Sequence, residues 1–276
     1  MVNTTASDTS SDEGFTGLRG ALADPDRRLL GTFVNIPRVE VVELVAAAGF
    51  DLIVIDAEHG PFGLEPLVPL IAAAQGSGMY AVVRVPELRP HAIGAVLDIG
   101  ADGILVPHVL SGDATAQVVA AARFAPEGTR SLHNGVRAAR YGADPDYFAA
   151  ANRRTAVLVM CEDIEAVRAI DDLIAVPGAD AIFVGPLDLS ASMGYVGQPN
   201  HPEVVDTVRS VLGQATNAGK AGSLMVSTAQ QARDLLDAGA RMVLVSVDTA
   251  MILEAFTRTR AAVFPEDPVP RRGPGY

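Results

Sequence analysis

AVLVMCEDIEAVRAIDDLIAVPGADAIFVGPLDLSASMG, residues 156–194, contains one pattern twice. A short apolar run, AVLVMCE (156–162) or DAIFVGP (180–186), reaches a carboxylate at or just after its end and passes into a stretch whose apolar residues recur at helical spacing. Runs without polar alternation describe strands buried on both faces, as in parallel sheets covered by helices. The unit is therefore β then α, with charge at the junction.

The same unit extends in both directions. Upstream lie LLGTFVN (29–35), DLIVIDAEH (51–59), YAVVRV (80–85) and DGILVPHV (102–109); downstream lie GSLMVS (222–227) and RMVLVSVD (241–248). A helical pattern follows every one, and Gly49, Gly78, Gly178 and Gly239 stand where helices end before the next strand. One interruption, about 127–154, reads as a long loop plus an extra helix. Eight β-then-α units predict a single-domain α/β (β/α)8 TIM barrel over 28–264, in preference to a doubly wound sheet, and no Gly-rich dinucleotide fingerprint follows the first strand. Residues 1–27 read as a flexible tail and lead-in, and 265–276 as a Pro/Gly-rich tail.

Composition agrees and removes other classes. Of 276 residues 49% are hydrophobic but only 5% aromatic, so the core is Ala, Val, Leu and Ile, as helix-and-parallel-strand bodies require. Net charge is -12, which repels nucleic acid and anionic lipid. The lone Cys161 cannot form an intrachain disulfide, and no apolar run is long enough to span a membrane. The first residues show no signal-peptide pattern. The reading is a cytoplasmic protein.

A barrel places its chemistry at the C-terminal strand ends. Asp56, Glu58, His59, Arg84, His108, Glu162, Asp163, Asp188 and Asp248 all fall there. Glu162 and Asp188 follow neighbouring strands and form a hard oxygen pair suited to Mg²⁺ or Mn²⁺, with further positions left to water and substrate. Cys161, beside Glu162, points the other way and packs as a small hydrophobe. Arg84 has two readings: beside a cation it would hold an anionic oxygen and stabilise an enolate, or it is an ion pair with Glu58 or Asp56. His59, on the turn before Gly60-Pro61, can exchange a proton near neutral pH if a carboxylate orients it. Asp98 is that carboxylate, or else a helix-end or exposed residue. Gly185, Pro186 and Ser190 surround Asp188 in a tight loop able to hold a substrate carboxylate. His91 and His201 read as surface residues at helix starts, and nothing decides His108 or His133.

GFDLIVIDAEHGP, VVRVP, VLDIGADGILVP, CEDIEAV, AIFVGPLDLSASMG and VLVSVDTAM, in this order over about 29–262, resemble the HpcH/HpaI family of class II pyruvate aldolases. The likeness is to its 4-hydroxy-2-oxoheptanedioate and 2-keto-3-deoxy-sugar-acid aldolase branch. The resemblance implies a barrel, often hexameric as a trimer of dimers, with a C-terminal helix exchanged between partners. It implies a divalent metal (Mg²⁺, Mn²⁺ or Co²⁺) on Glu162 and Asp188, Arg84 on the enolate oxygen, His59 as base or water activator, and Asp98 as its partner carboxylate, reaching across a subunit interface. One departure stands out: where the family commonly has Arg-Gly-x-Gly, this chain has Arg130-Ser131-Leu132-His133-Asn134-Gly135, a segment read as lying near the substrate entrance and altering the choice of aldehyde.

The expected reaction is cleavage of a 4-hydroxy-2-keto acid to pyruvate, or a close 2-keto acid, and an aldehyde. Lys220, the only lysine, receives no Schiff-base role. The competing readings are a citrate-synthase-like or acyl-CoA-condensing enzyme, and a non-catalytic barrel that binds a keto acid.

Overall fold

A computed structural model describes residues 16–265. Eight parallel strands close into a barrel in chain order, with β1 hydrogen-bonded to β8. They are β1 (Leu29–Val34), β2 (Leu52–Asp56), β3 (Tyr80–Arg84), β4 (Gly103–Val106), β5 (Ala156–Cys161), β6 (Ala181–Val184), β7 (Ala221–Val226) and β8 (Met242–Val247). The helices are α1 (Gly17–Ala23), α2 (Val39–Ala47), α3 (Leu64–Gly76), α4 (Pro90–Ile99), α5 (Gly112–Ala122), α6 (Tyr147–Arg154), α7 (Ile164–Arg168), α8 (Ile170–Ala175), α9 (Pro186–Ser192), α10 (Pro202–Asn217), α11 (Ala229–Asp237) and α12 (Asp248–Val263). Among the described residues no helix is long and apolar enough to cross a membrane.

All eight expected strands are present, and the four helix-ending glycines have φ of 85°, 82°, 87° and 97°, the left-handed geometry that only glycine adopts freely. Two strands, β2 and β4, end furthest ahead of the sequence reading. β2 stops at Asp56, whose Oδ1 accepts from the backbone N–H groups of Glu58 and His59, both at 3.2 Å, and turns the chain. β4 stops before Pro107, which has no N–H to give the ladder.

The strands sort their side chains by the period of two. Leu52, Val54, Val82, Leu105, Leu158, Met160, Ala181 and Phe183 pack inside the barrel. Ile53, Ile55, Val83, Ile104, Val106, Val157, Val159, Cys161, Ile182 and Val184 pack outward against the helices. Cys161 thus lies in the layer between sheet and helices, as expected. Burial, with the charges of Glu162 and Asp163, pushes its thiol up to about 12. It is therefore expected to remain unmodified by a thiol reagent at pH 8 in the native protein and to react stoichiometrically after denaturation, as absorbance at the released chromophore would report.

Two parts of the chain differ from expectation. Residues 17–23, read as lead-in, form α1, whose Leu18 and Leu22 are buried with the barrel interior and plug its N-terminal end. Seven residues with two core leucines leave too little periodicity to read. Residues 1–15 and 266–276, read as tails, lie outside the described residues. The second difference concerns 123–155, which joins α5 to β5 through a 3-10 turn (Arg137–Gly142) and the anticipated extra helix, α6. A helix-to-strand connection runs at the N-terminal end of the barrel. It is fastened there to α1, with Thr16 N–H donating to the Arg153 carbonyl at 3.2 Å and Arg19 Nη1 to the Asn152 carbonyl at 2.6 Å. Ser131–Gly135 therefore lies at the end opposite this chain's own mouth and does not border that entrance.

Candidate active site

The residue that follows the last inward apolar position on a strand emerges into the mouth. Asp56 follows Val54, Arg84 follows Val82, Glu162 follows Met160 and Gly185 follows Phe183, each by two positions, so the ring of chemistry is fixed by strand periodicity. Asp56 and Arg84 are register partners across β2 and β3.

Arg84 makes both ion pairs considered for it. Its Nε donates to Asp56 Oδ1 at 2.9 Å and Nη2 to Asp56 Oδ2 at 2.7 Å, a two-pronged clamp, while Nη1 lies 3.1 Å from Glu58 Oε2. The guanidinium sits 5.0 Å from the Phe33 ring centroid. Burial alone would raise the Asp56 carboxyl; hydrogen bonding and charge from Arg84, with the His59 and Glu58 N–H groups, reverse this and hold it below the usual carboxylate range. Burial likewise works against the Arg84 charge, but Asp56, Glu58 and Glu162 outweigh it and raise its pKa. These contacts orient Arg84 and still leave N–H bonds on Nη1 and Nη2 for a substrate oxygen.

Glu162 is buried, and Asp188 lies on the first turn of α9 just beyond β6, not on a strand. Burial raises the Glu162 carboxyl, and the charges of Asp188 and Glu58 add to that; the backbone N–H and charge of His108 oppose it. Gly185 makes room for it, because a Cβ there would stand 2.8 Å from Glu162 Cβ and Oε2. Gly185 N–H is committed to the Cys161 carbonyl at 3.3 Å, and Pro186 begins α9. Ser190 is the candidate that the structure withdraws from the mouth: it is buried on α9 and its hydroxyl donates to the Leu187 carbonyl at 2.6 Å. Helical geometry turns it inward while Asp188, two positions earlier, stays exposed.

His59 is exposed on the turn after β2, its Nε2 3.8 Å from Glu58 Oε2. Gly60 is required for that turn, since a Cβ would fall 2.3 Å from the Asp56 carbonyl oxygen. Within this chain Asp98 does not meet His59. It lies near the end of α4, where Arg130 Nη2 donates to its Oδ1 at 2.6 Å.

Two members of the mouth that the sequence placed at strand ends had no catalytic role assigned to them. His108, with φ of 54°, donates its backbone N–H to Glu162 Oε1 at 2.8 Å and places Nδ1 3.3 Å from that oxygen and Nε2 3.4 Å from Glu58 Oε1. Glu58 touches Arg84, His59 and His108 together. The available signal was the Val-Pro-His sequence: proline ends the strand and aims the next residue into the mouth. Asp248, also at a strand end, instead accepts from the N–H groups of Asn35, Ile36 and Thr249 and fastens β1 to α12.

The donor set fits a divalent cation. Two carboxylates of like charge, one buried, are held near each other and near a third, Glu58, with one arginine close by. Among the described residues no three His, Cys, Asp or Glu side chains form a metal cage. Two carboxylates, with water and substrate completing the shell, is the ordinary arrangement for Mg²⁺-like ions.

Residues 29–255 match the family model described as HpcH/HpaI aldolase/citrate lyase. The chain is 38% identical over 213 residues to a 5-keto-4-deoxy-D-glucarate aldolase of Klebsiella pneumoniae, covering 77% of this chain and 83% of that one. It is 36% identical over 230 residues to a 4-hydroxy-2-oxo-heptane-1,7-dioate aldolase of Shigella sonnei, covering 83% and 88%. Among solved structures, the citrate synthase SbnG superposes with a TM-score of 0.81 at 31% identity, covering 90% of this chain and 97% of that one.

Proposed function

This chain belongs to the HpcH/HpaI aldolase/citrate lyase family, and from that membership we propose that it is a lyase cleaving a 4-hydroxy-2-keto acid to pyruvate, or a close 2-keto acid, and an aldehyde. The observation that carries this reading is the pairing of a buried carboxylate, Glu162, and its neighbour Asp188 with an arginine already oriented by Asp56 and Glu58.

Glu162 and Asp188 would hold the divalent ion, Mg²⁺, Mn²⁺ or Co²⁺. Bound there, it would supply Lewis-acid polarisation of the keto acid's oxygens. Arg84 directs its uncommitted N–H bonds at the C2 oxygen, where negative charge grows as the C3–C4 bond breaks. The backbone around Gly185 and Pro186 packs against Glu162 and shapes the space for the substrate's carboxylate end. His59 takes the proton of the 4-hydroxyl, directly or through water, and the electron pair of the broken bond passes to C3. Return of a proton to C3 completes pyruvate. The desolvated walls of the barrel, Phe33, Met160 and Phe183, keep bulk water from the charge.

The same reading includes a homo-oligomer. On α12 only Asp248 is buried, and Leu253, Phe256, Val263 and Phe264 are each more than half exposed at helical spacing. A second copy covering this face would also let Asp98 reach a neighbour's His59. Phe256→Asp is expected to shift the protein to a smaller species in light scattering and to lower turnover, with the barrel's far-ultraviolet circular dichroism preserved. The single buried, unpaired cysteine supports a cytoplasmic location.

The test is pyruvate release from a panel of 4-hydroxy-2-keto acids without coenzyme A, before and after EDTA, with Mg²⁺, Mn²⁺ or Co²⁺ restored. Loss on chelation and recovery with metal are expected. Full activity in EDTA, or product formation only with an acyl thioester, would overturn the reading, the latter in favour of citrate-synthase-like condensation.

A further inference from the structure

One cavity among the described residues lies away from the mouth. It has a volume of about 610 Å³ and lies at the N-terminal end of the barrel, between the end of α4, the starts of β4 and β5, and the 123–155 connection. Four guanidiniums line it, Arg130, Arg137, Arg140 and Arg154, against one carboxylate, Asp102. Such a concentration of positive charge is unexpected in a chain of net charge -12.

Two of the four are balanced locally. Arg130 pairs with Asp98 at 2.6 Å, and Arg154 lies 4.0 Å from Asp144. Neither of the other two makes a direct ion pair, although the charge of Arg137, like that of Arg154, acts on the nearby Asp102 carboxylate. Arg137 is fixed by neutral acceptors alone, with Nη1 and Nη2 each 3.1 Å from Gln75 Oε1 and Nη1 3.0 Å from the Ile99 carbonyl. Its place is built into the backbone: at Gly100, where φ is 105°, a Cβ would stand 2.8 Å from Arg137 Nη1. The side chain of Arg140, an exposed residue, makes no hydrogen bond or ion pair among the described residues, and Arg140 and Tyr141 occupy consecutive left-handed conformations, φ of 51° and 57°, which are strained for non-glycine residues. The buried Nε of Arg130 also has no acceptor. Four guanidiniums against fewer carboxylates, one anchored by neutral acceptors and one held in strained backbone, with an unsatisfied buried donor beside them, are the features of a receptor for oxygen anions.

We propose that this cavity binds a small dianionic oxyanion, a phosphate monoester or a dicarboxylate, at the end of the barrel opposite this chain's own mouth. Its size suits a metabolite-scale ligand. Arg137 and Arg140 supply the guanidiniums that grip the ligand, Arg130 Nε a further donor, and the Tyr141 and Tyr147 rings part of the wall.

The experiment is titration of the full-length protein at low ionic strength with inorganic phosphate in one arm and succinate in the other, followed by calorimetry. Saturable binding to at least one is expected, and the preferred arm assigns the ligand's chemistry. Arg140→Gln should weaken it about tenfold or more, the loss expected when a charge-assisted contact is removed. Arg140→Gly removes the same charge and suits the left-handed backbone, so it should weaken binding while remaining folded. Neither should change the rate of keto-acid cleavage. Absence of binding to both anions, or binding that both Arg140 variants leave intact, as expected if the anions settle on Arg84, would overturn the proposal.

Discussion

Glu162→Gln is expected to lower pyruvate release by about 10³-fold or more, the several kcal/mol that a Lewis-acid ion contributes, and to abolish binding of Mn²⁺ measured directly by calorimetry. Its effect on stability should have the opposite sign to that of an ordinary buried-charge deletion. Glu162 is buried beside Asp188 and Glu58, so its folded-state pKa lies above the unfolded value. A carboxyl shifted upward favours folding most at low pH, and that contribution is lost as pH rises through the folded pKa. Without metal, the ionised form of the side chain works against the fold. Glutamine keeps an acceptor for the His108 N–H and removes the repulsion. The variant should therefore melt no lower than the parent in EDTA while losing the parent's rise in Tm on adding Mn²⁺. Asp188→Asn, at an exposed helix position, should lose metal binding with little change in metal-free stability. A metal-dependent rise in Tm that survives both substitutions would place the ion elsewhere.

Arg84→Ala should fail in two ways at once. Removing a donor aimed at developing oxyanion charge costs about 10²- to 10³-fold in turnover. The same change leaves Asp56 and Glu58 buried without their cation, a loss of about 3–5 kcal/mol for a broken buried pair. Arg84 side-chain exposure is 12%, and that of Asp56 and Glu58 is 3% and 10%, so solvent screens these pairs little. Arg84→Lys separates the two effects. It keeps the charge but cannot reproduce the two-pronged contact with Asp56, so Tm should fall far less than for alanine while kcat stays low and Mn²⁺ still binds. If Arg84→Lys restored kcat, the guanidinium's geometry would have no part in the reaction.

Most of the barrel was legible because its strands are uninterrupted apolar runs and its helices end on glycines forced into left-handed geometry. The ring of Asp56, Arg84 and Glu162 was legible for the same reason: each stands where a strand's inward face runs out. What escaped the sequence depended on contacts distant along the chain. Glu58 was expected at the mouth as a partner of Arg84, but its further contacts with His59 and His108 are not readable from spacing. His108 gains significance only because Glu162, 54 positions away, accepts its N–H. Ser190 was misplaced because loop spacing says nothing of rotation about α9. Asp98 meets Arg130 rather than His59 within one chain, and no linear pattern distinguishes those partners.

The alternation along β5 has a consequence for how such a chain can change length. Adding one residue between Ala156 and Met160 would rotate every later side chain to the other face, turning Cys161 into the barrel and Glu162 into the greasy seam beneath α7. The bottom loop between α5 and β5 is under no such constraint, since it enters the sheet only at Ala156. A length change in that loop thus leaves the rim's spacing intact, whereas one along a stave shifts it.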